Sequence, residues 1–382
     1  MDALEGPNGP EDVVQASCQV ISGVFEMAAA GQQKAFKKIG TFFMDRFAEG
    51  LDNMLGPSPR KLRDAEFIRL TDYCKGRGKW SEYGLRPRTL VLLIWLECPE
   101  AMDGFVDNNM FDIALPYTLR NLPQCLKGRE LRTKFLELQQ YVLTNQAADL
   151  ERPGGPHLNI AGSAQKYFDD IKRLGSGSFA TVDHVVSRLS LRQYALKRII
   201  RGHSFGRDKM AIRSFENELG SLKGLSHTHL VKLVGSYTDQ DHIGLIMTPV
   251  ADMALDQYLS APEPDCPDRK NCLRQFFGCL AAGVEYLHSH KVRHKDLKPK
   301  NVLVLQNYRR VLLTDFGNAR NWVDDSDSET DDHMHVPFTE RYSAPEVINR
   351  MVRVEYPSFA AFAEPFSGEI RQATSGLWDV ST

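Results

Sequence analysis

No Cys-x-x-Cys pair occurs in the 382 residues, and the seven cysteines (18, 74, 98, 125, 266, 272, 279) are odd in number and widely scattered. Such spacing suggests neither a disulfide framework nor a zinc site, and it fits a reducing compartment. Long apolar runs are also missing. The longest, LVLLIWL at 90–96, has seven residues, against the roughly 20 that a membrane span requires. There is no excess of positive charge: 47 Lys and Arg face 49 Asp and Glu, a net charge of -2, which gives no basis for general nucleic-acid affinity. The acidic, polar start MDALEGPNGPED is unlike a secretory leader. These absences lead to the expectation of an intracellular protein, cytoplasmic or nuclear, with neither nucleic acid nor membrane as partner.

What is present is ordinary globular composition, 42% hydrophobic and 25% charged, in a chain long enough for two or three domains. Residues 1–10 are expected to be disordered. Residues 11–150 have helical character: Val13, Val14, Val20, Ile21 and Val24 recur in a helical rhythm, and further segments are broken near GRGKW and at Pro99 and Pro116. LRTKFLELQQYVL (131–143) puts Leu131, Phe135, Leu138 and Val142 on one helical face, which reads as core packing. ERPGGPHLN, with two prolines and two glycines, reads as a linker over 151–166. Beyond it come short β-type runs, DDIKRLG, TVDHVVS, QYALKRII, HLVKLVGSY and IGLIMTPV, interrupted by a helix candidate at 213–225 and followed by longer helical stretches. The expected fold is therefore α+β: an all-α region, then a small sheet-rich lobe ahead of a helical one.

Chemistry is concentrated after residue 167. In LGSGSFATV (174–182), Gly175 and Gly177 lack a Cβ, so the backbone can fold closely over phosphates and point N–H groups at them. Ala180 stands at the third small position. Alone, this loop resembles any Gly-Ser hairpin turn. In YALK, Lys197 falls on an expected strand. Such a lysine either snorkels at an edge or acts as a point charge on phosphate oxygens. Its candidate partner is Glu218 in FENEL; Glu216 is the rival, but Glu218 aligns with Leu222 at i+4 and so shares the inward face. VRHKDLKPKN (292–301) sets Asp296 among Arg293, Lys295, Lys298 and Lys300, either a solvated charge run or a carboxylate that takes a proton beside something highly negative. LLTDFGNAR (312–320) delivers Asp315 from an apolar run to a Phe-Gly break, as a turn residue or a Mg²⁺ carboxylate. TERYSAPEV occupies 339–347.

These motifs occur once each and in one order, and with them the chain resembles the eukaryotic protein kinase superfamily. Lys298 in DLKPKN and Thr339 ahead of Ala-Pro-Glu favour the serine/threonine branch. The helical N-terminal region and FENELGSLKGLSHTHLVKLVGSYTD are similar to a group of ascomycete fungal kinases. The resemblance implies a kinase domain over 167–382, with a small antiparallel-sheet lobe (167–250) and a helical lobe (251–382), that uses ATP and Mg²⁺ to phosphorylate Ser or Thr of a protein substrate, with a protein partner for the helical region. Leu174, Gly175, Ser176, Gly177, Ala180, Val182, Ala195 and Leu303 would enclose the nucleotide. Met247 would be the gatekeeper and Thr248 to Val250 the hinge on adenine. Lys197, oriented by Glu218, would hold the α- and β-phosphates; Asp296 would accept the substrate hydroxyl proton, Lys298 would steady the transferred group, and Asn301 and Asp315 would hold Mg²⁺. Leu222, Leu233, His294 and Phe316 match the apolar stack that links the two lobes.

Two departures from the family pattern stand out. Lys295 replaces the usual arginine of His-Arg-Asp, a point charge where a bidentate fork is expected. The acidic run DDSDSETDD (324–332) is either a solvated segment or, with phosphate on Ser326, Ser328 or Thr330, a compensating dock for that lysine. Secondly, only 36 residues follow Glu346, fewer than the remaining helices of such a lobe need, so the domain is expected to be truncated. The second reading that follows is a catalytically inactive kinase-like protein acting as a nucleotide- or protein-binding module.

Overall fold

The structure, a computed structural model, describes residues 50–321 and Tyr342, apart from 52–53, 57, 145–146, 178, 203, 262–268 and 306–308. The expectations for the first 49 residues, the acidic run, the Ala-Pro-Glu motif and the tail after it lie outside the described residues. Two compact units divide between Phe111 and Asp112, well ahead of the boundary expected near residue 150. Among the described residues, no helix is long and apolar enough to cross a membrane.

The first unit is helical: α1 (Asp64–Cys74), α2 (Lys79–Gly84), α3 (Pro87–Trp95) and α4 (Met102–Asp107). The run LVLLIWL becomes α3, where Leu90, Val91, Leu92 and Leu93 are all fully buried. Gly84 lets α2 approach α1 closely, because a Cβ there would lie 2.5 Å from Cys74 Cβ. Burial at the same contact pushes the Cys74 thiol up to about 11. Arg86 is buried with its charge satisfied by backbone: Nε donates to Met110 O at 2.6 Å and Nη1 to Glu82 O at 2.9 Å.

In the second unit a helix, α5 (Arg129–Leu138), precedes the sheet. It ends earlier than the 131–143 pattern predicts. The side-chain amide of Gln139 is drawn inward, where it donates to Tyr117 O at 3.0 Å and accepts from Tyr117 N, and the chain tightens into a 3₁₀ turn at Gln139–Tyr141. Phe135 and Val142 are buried as the pattern expects.

The strands are β1 (Leu158–Asn159), β2 (Phe168–Ser176), β3 (Ala180–Ser187), β4 (Gln193–Ile200), β5 (Lys232–Thr238) and β6 (His242–Thr248), in the sheet order β1-β5-β6-β4-β3-β2. Pairing from β5 through β2 is antiparallel, whereas β1 joins β5 in parallel. The expected small-lobe sheet is thus present with one added strand, drawn from the stretch read as a linker. That stretch has a packing role: Leu150, Leu158, Ile160, Ala164 and Phe168 form one core cluster with Val185, Tyr194, Leu196, Val234, Tyr237 and Ile246. The cluster covers one face of the sheet, and so the strands are apolar on more than one side.

Helix α6 (Phe205–Leu222) crosses between β4 and β5 and starts eight residues before the expected Arg213. Ile212, Phe215, Leu219 and Leu222 are its buried apolar positions, at helical spacing. The second lobe holds α7 (Leu255–Ser260), α8 (Arg269–Ser289), a three-stranded sheet ordered β10-β9-β7 (Arg310–Leu313, Val302–Leu305, Met253–Ala254), and a pair of β8 (Val292–Arg293) with β11 (Arg320–Asn321).

Candidate active site

Strand register sets one wall of the site. Directly opposed residues of an antiparallel pair share a face, as do residues two apart on one strand. Lys197 lies opposite Val182 on β3 and Leu245 on β6, and Ala195 lies opposite Met247. Val182, Ala195, Lys197 and Met247 therefore share the face opposite to the core cluster that contains Leu196. Helix α6 lies against the site as well, and brings Glu218 to Lys197. Lys197 Nζ donates to Glu218 Oε1 and Oε2 at 2.8 and 2.7 Å, and to Asp315 Oδ1 at 2.9 Å. Glu216 stays half-buried while Glu218 is 2% exposed, which settles the choice between them.

The electrostatics of this trio follow from burial and proximity. Burial alone would lower the Lys197 ammonium, but the charges of Glu218 and Asp315 outweigh it and hold the amine above its ordinary range. Burial pushes the Glu218 carboxyl up against the pull of Lys197. Burial also opposes ionisation of Asp315, but here Lys197, through charge and hydrogen bond, holds the carboxyl below its usual value. The Asp315 side chain is 43% exposed, so this carboxylate faces the opening while Glu218 does not.

The second half of the site is the segment from His294 to Asn301. Asp296 Oδ2 accepts from Lys298 Nζ at 2.7 Å and from Asn301 Nδ2 at 3.0 Å. Asn301 Nδ2 also donates to the Asp296 carbonyl at 2.9 Å, which ties both ends of the turn together. His294 is buried and bonds Thr314 O through Nε2 at 2.9 Å, so Nε2 carries the proton. Burial lowers its basicity and favours that neutral tautomer. The His294 ring is 4.9 Å from the ring of Phe316, and Thr314 N donates to Asn301 O at 3.0 Å. Through these contacts Asp315, in a left-handed conformation at φ 64°, is locked to the segment that carries Asp296.

The remaining sequence-predicted residues fall around this frame. Gly175 and Ser176 end β2, and Gly177 N donates to Ala180 O at 2.8 Å, closing the glycine turn. Nothing lies within 4 Å of a Cβ built on Gly175, so that face of the turn is open. Leu174 is half-buried on β2; Thr248 ends β6, followed by a cis Thr248–Pro249 bond and half-buried Val250. Leu303 pairs with Leu312 and Ala254. Leu222 is buried at the end of α6, and Leu233 pairs with Met247. Lys295 is exposed with φ 60°. One participant escapes motif reading: Thr314, whose peptide group receives His294 and binds Asn301 O. A backbone role leaves no mark on residue type.

Chemically, the site offers an ammonium held by two carboxylates, a carboxylate flanked by an ammonium and a carboxamide, and hard oxygen donors on Asn301 and Asp315. Oxygen donors of that kind suit Mg²⁺.

Comparison with known proteins agrees with this geometry. The family described as protein kinase domain matches residues 168–359. The serine/threonine-protein kinase PKH3 of Eremothecium gossypii is 34% identical over 181 residues, 46% of this chain and 24% of its own. The carbon catabolite-derepressing protein kinase of Candida tropicalis is 31% identical over 201 residues, 52% of this chain and 30% of its own. The serine/threonine-protein kinase ULK3 of Rattus norvegicus is 30% identical over 180 residues, 47% of this chain and 36% of its own. The matched part thus spans about a quarter to a third of these relatives' length. From the order of its motifs, the two-lobed fold and these matches, the chain belongs to the protein kinase family, on its serine/threonine side.

Proposed function

We propose that the chain transfers the γ-phosphoryl group of ATP to serine or threonine hydroxyls of a protein substrate. The observation that carries this reading is the convergence of Lys197, Glu218 and Asp315, drawn from β4, α6 and the end of β10, within hydrogen-bond distance of one another. Nothing in ordinary folding requires a lysine to hold two carboxylates from such distant segments, whereas phosphoryl transfer depends on positioning and charge neutralisation.

In this reading the open glycine turn covers the phosphates. Lys197 exchanges its bond to Asp315 for the α- and β-phosphate oxygens while Glu218 keeps the ammonium in place. Asn301 and Asp315 would hold Mg²⁺, which when bound offsets charge on the phosphates. Asp296 accepts the proton of the incoming hydroxyl, and Lys298, 2.7 Å from it, faces the transferred group with positive charge. Val182, Ala195, Met247, Leu174 and Leu303 enclose the adenine, with backbone from Thr248 to Val250 as its hydrogen-bonding edge. The protein is proposed to act inside the cell, on a protein substrate, and the kinase domain to run from residue 167.

The test is incubation of the chain with ATP, Mg²⁺ and a generic basic protein, beside Asp296→Asn and Lys197→Met. Transfer by the wild type alone supports the proposal. Retention of the Mg-ATP thermal shift without transfer by the wild type would instead favour a nucleotide-binding module.

A further inference from the structure

Residues 112–168 do more than precede the sheet. They touch α6 at two places, one in its first turn and one near its middle. At the first turn of α6, Asp208 is fully buried, and its carboxylate receives Arg201 Nε at 3.0 Å, Arg201 Nη2 at 2.6 Å and Asn121 Nδ2 at 3.0 Å. Arg201, 4% exposed, also donates Nη2 to Ala114 O at 2.8 Å and Nη1 to Asp239 O at 3.1 Å and to Pro116 O. Asn121 is itself fixed, accepting from Thr118 N at 2.6 Å and Thr118 Oγ1 at 3.0 Å.

Two turns further along, the ring of His157 meets Phe215 edge-on with centroids 5.5 Å apart. The His157 ring is held in turn by Ser236 Oγ and Thr238 Oγ1, each at 3.0 Å. Phe215 is fully buried and lies three residues before Glu218, on the same helical face. Asp208 and Glu218 are ten residues apart on one helix, about 15 Å along its axis. A helix pinned at both points cannot pivot or slide, so the distance from Glu218 to Lys197 is set in part by residues outside the site.

We propose that the segment 112–168 is a built-in clamp on α6, and that Asn121, Asp208 and His157 are positioning residues that keep Glu218 on Lys197. The effect on turnover rests on the kinase reading; the clamp itself does not. A buried ion pair with a neutral amide added is costly to break, so Asp208→Asn risks global unfolding. Asn121→Ala and His157→Ala are milder, since each leaves Arg201–Asp208 intact.

The experiment measures hydrogen exchange of α6 amides in the full chain carrying both mild substitutions, with Glu130→Ala as a surface control. The expected result is exchange faster by about fivefold or more over 212–222, with β3 and β4 unchanged. Unchanged α6 exchange would overturn the clamp. The second readout is kcat for phosphate transfer in the wild-type and Glu218→Gln backgrounds. The double variant is expected to lose about tenfold in kcat in the first and less than about twofold in the second. Equal losses in both backgrounds would mean a merely structural role and would overturn the positioning assignment. If the wild type transfers no phosphate, the kinase reading fails and exchange alone decides the clamp.

Discussion

Lys197 Nζ holds both carboxylate oxygens of Glu218, at 2.8 and 2.7 Å, although the two residues belong to a strand and a helix 21 positions apart. The pair is nearly sealed from solvent, with side chains 15% and 3% exposed. Removing Lys197 therefore leaves the buried Glu218 carboxylate uncompensated, whereas removing Glu218 leaves Lys197 with Asp315 as its remaining carboxylate. Lys197→Met is expected to reduce phosphate transfer by about a hundredfold or more, with nucleotide binding weakened. Glu218→Gln should cost less, because an amide still accepts one bond. Steady-state kinetics with a melting curve for each variant separates lost catalysis from lost fold; a Lys197→Met protein that is folded and fully active would contradict the assignment.

Asp315 is held ionised by Lys197 and faces the opening, which is what a metal carboxylate needs. Asp315→Asn is expected to raise the Mg²⁺ concentration for half-maximal transfer by about tenfold or more, because a neutral amide is a poorer ligand for a hard cation. A Mg²⁺ titration at saturating ATP reads this directly. An unchanged midpoint would remove Asp315 from the metal site.

His294 gives the fold a pH dependence. Its folded-state pKa is depressed by burial, so between that value and the unfolded one, about 6.5, the unfolded chain binds more protons and stability rises with pH. The contribution is complete above the unfolded value and is lost as pH falls toward the folded one. His227, also lowered by burial, acts in the same direction. Wild-type protein should lose stability between about pH 7.5 and 5.5 in part through His294, and His294→Gln should show a shallower decline in urea denaturation. Parallel pH profiles would rule this source out.

Two glycines should respond to alanine with opposite signs. A Cβ on Gly235 would lie 1.9 Å from the Leu150 carbonyl, so Gly235→Ala pushes the covering segment off β5. A loss of about 1–3 kcal/mol is expected. Gly220, on α6, has nothing within 4 Å of an added Cβ, and Gly220→Ala should stabilise by about 0.5–1 kcal/mol through helix propensity. Chemical denaturation of both variants tests the pair.

The motifs that frame the candidate site were legible because each is local. Five strands and the helix that carries Glu218 could be read from alternation and periodicity, and the pairing of Lys197 with Glu218 rather than Glu216 followed from the helical face. What escaped reading depends on contacts between distant residues. The two-residue strand Leu158–Asn159 has no period to detect, and its partner Tyr237 is 79 positions away from Leu158. ERPGGPHLN has linker composition, yet the residues beside it fill the core over β3, β4, β5 and β6. The first turns of α6 present Arg207 and Met210 to solvent, and the reason they are helical lies in Asp208, whose amide partner Asn121 is 87 positions upstream. Gln139 stops α5 for a similar reason, a bond to the backbone of Tyr117 that no pattern announces.

The most direct measurement of the central claim is transfer of the ATP γ-phosphate to a basic protein by the wild type and by Asp296→Asn, each with a Mg-ATP thermal shift. The account predicts incorporation by the wild type, a fall of about a hundredfold or more in the variant, and thermal shifts of similar size in both. Equal incorporation by the two proteins would contradict it.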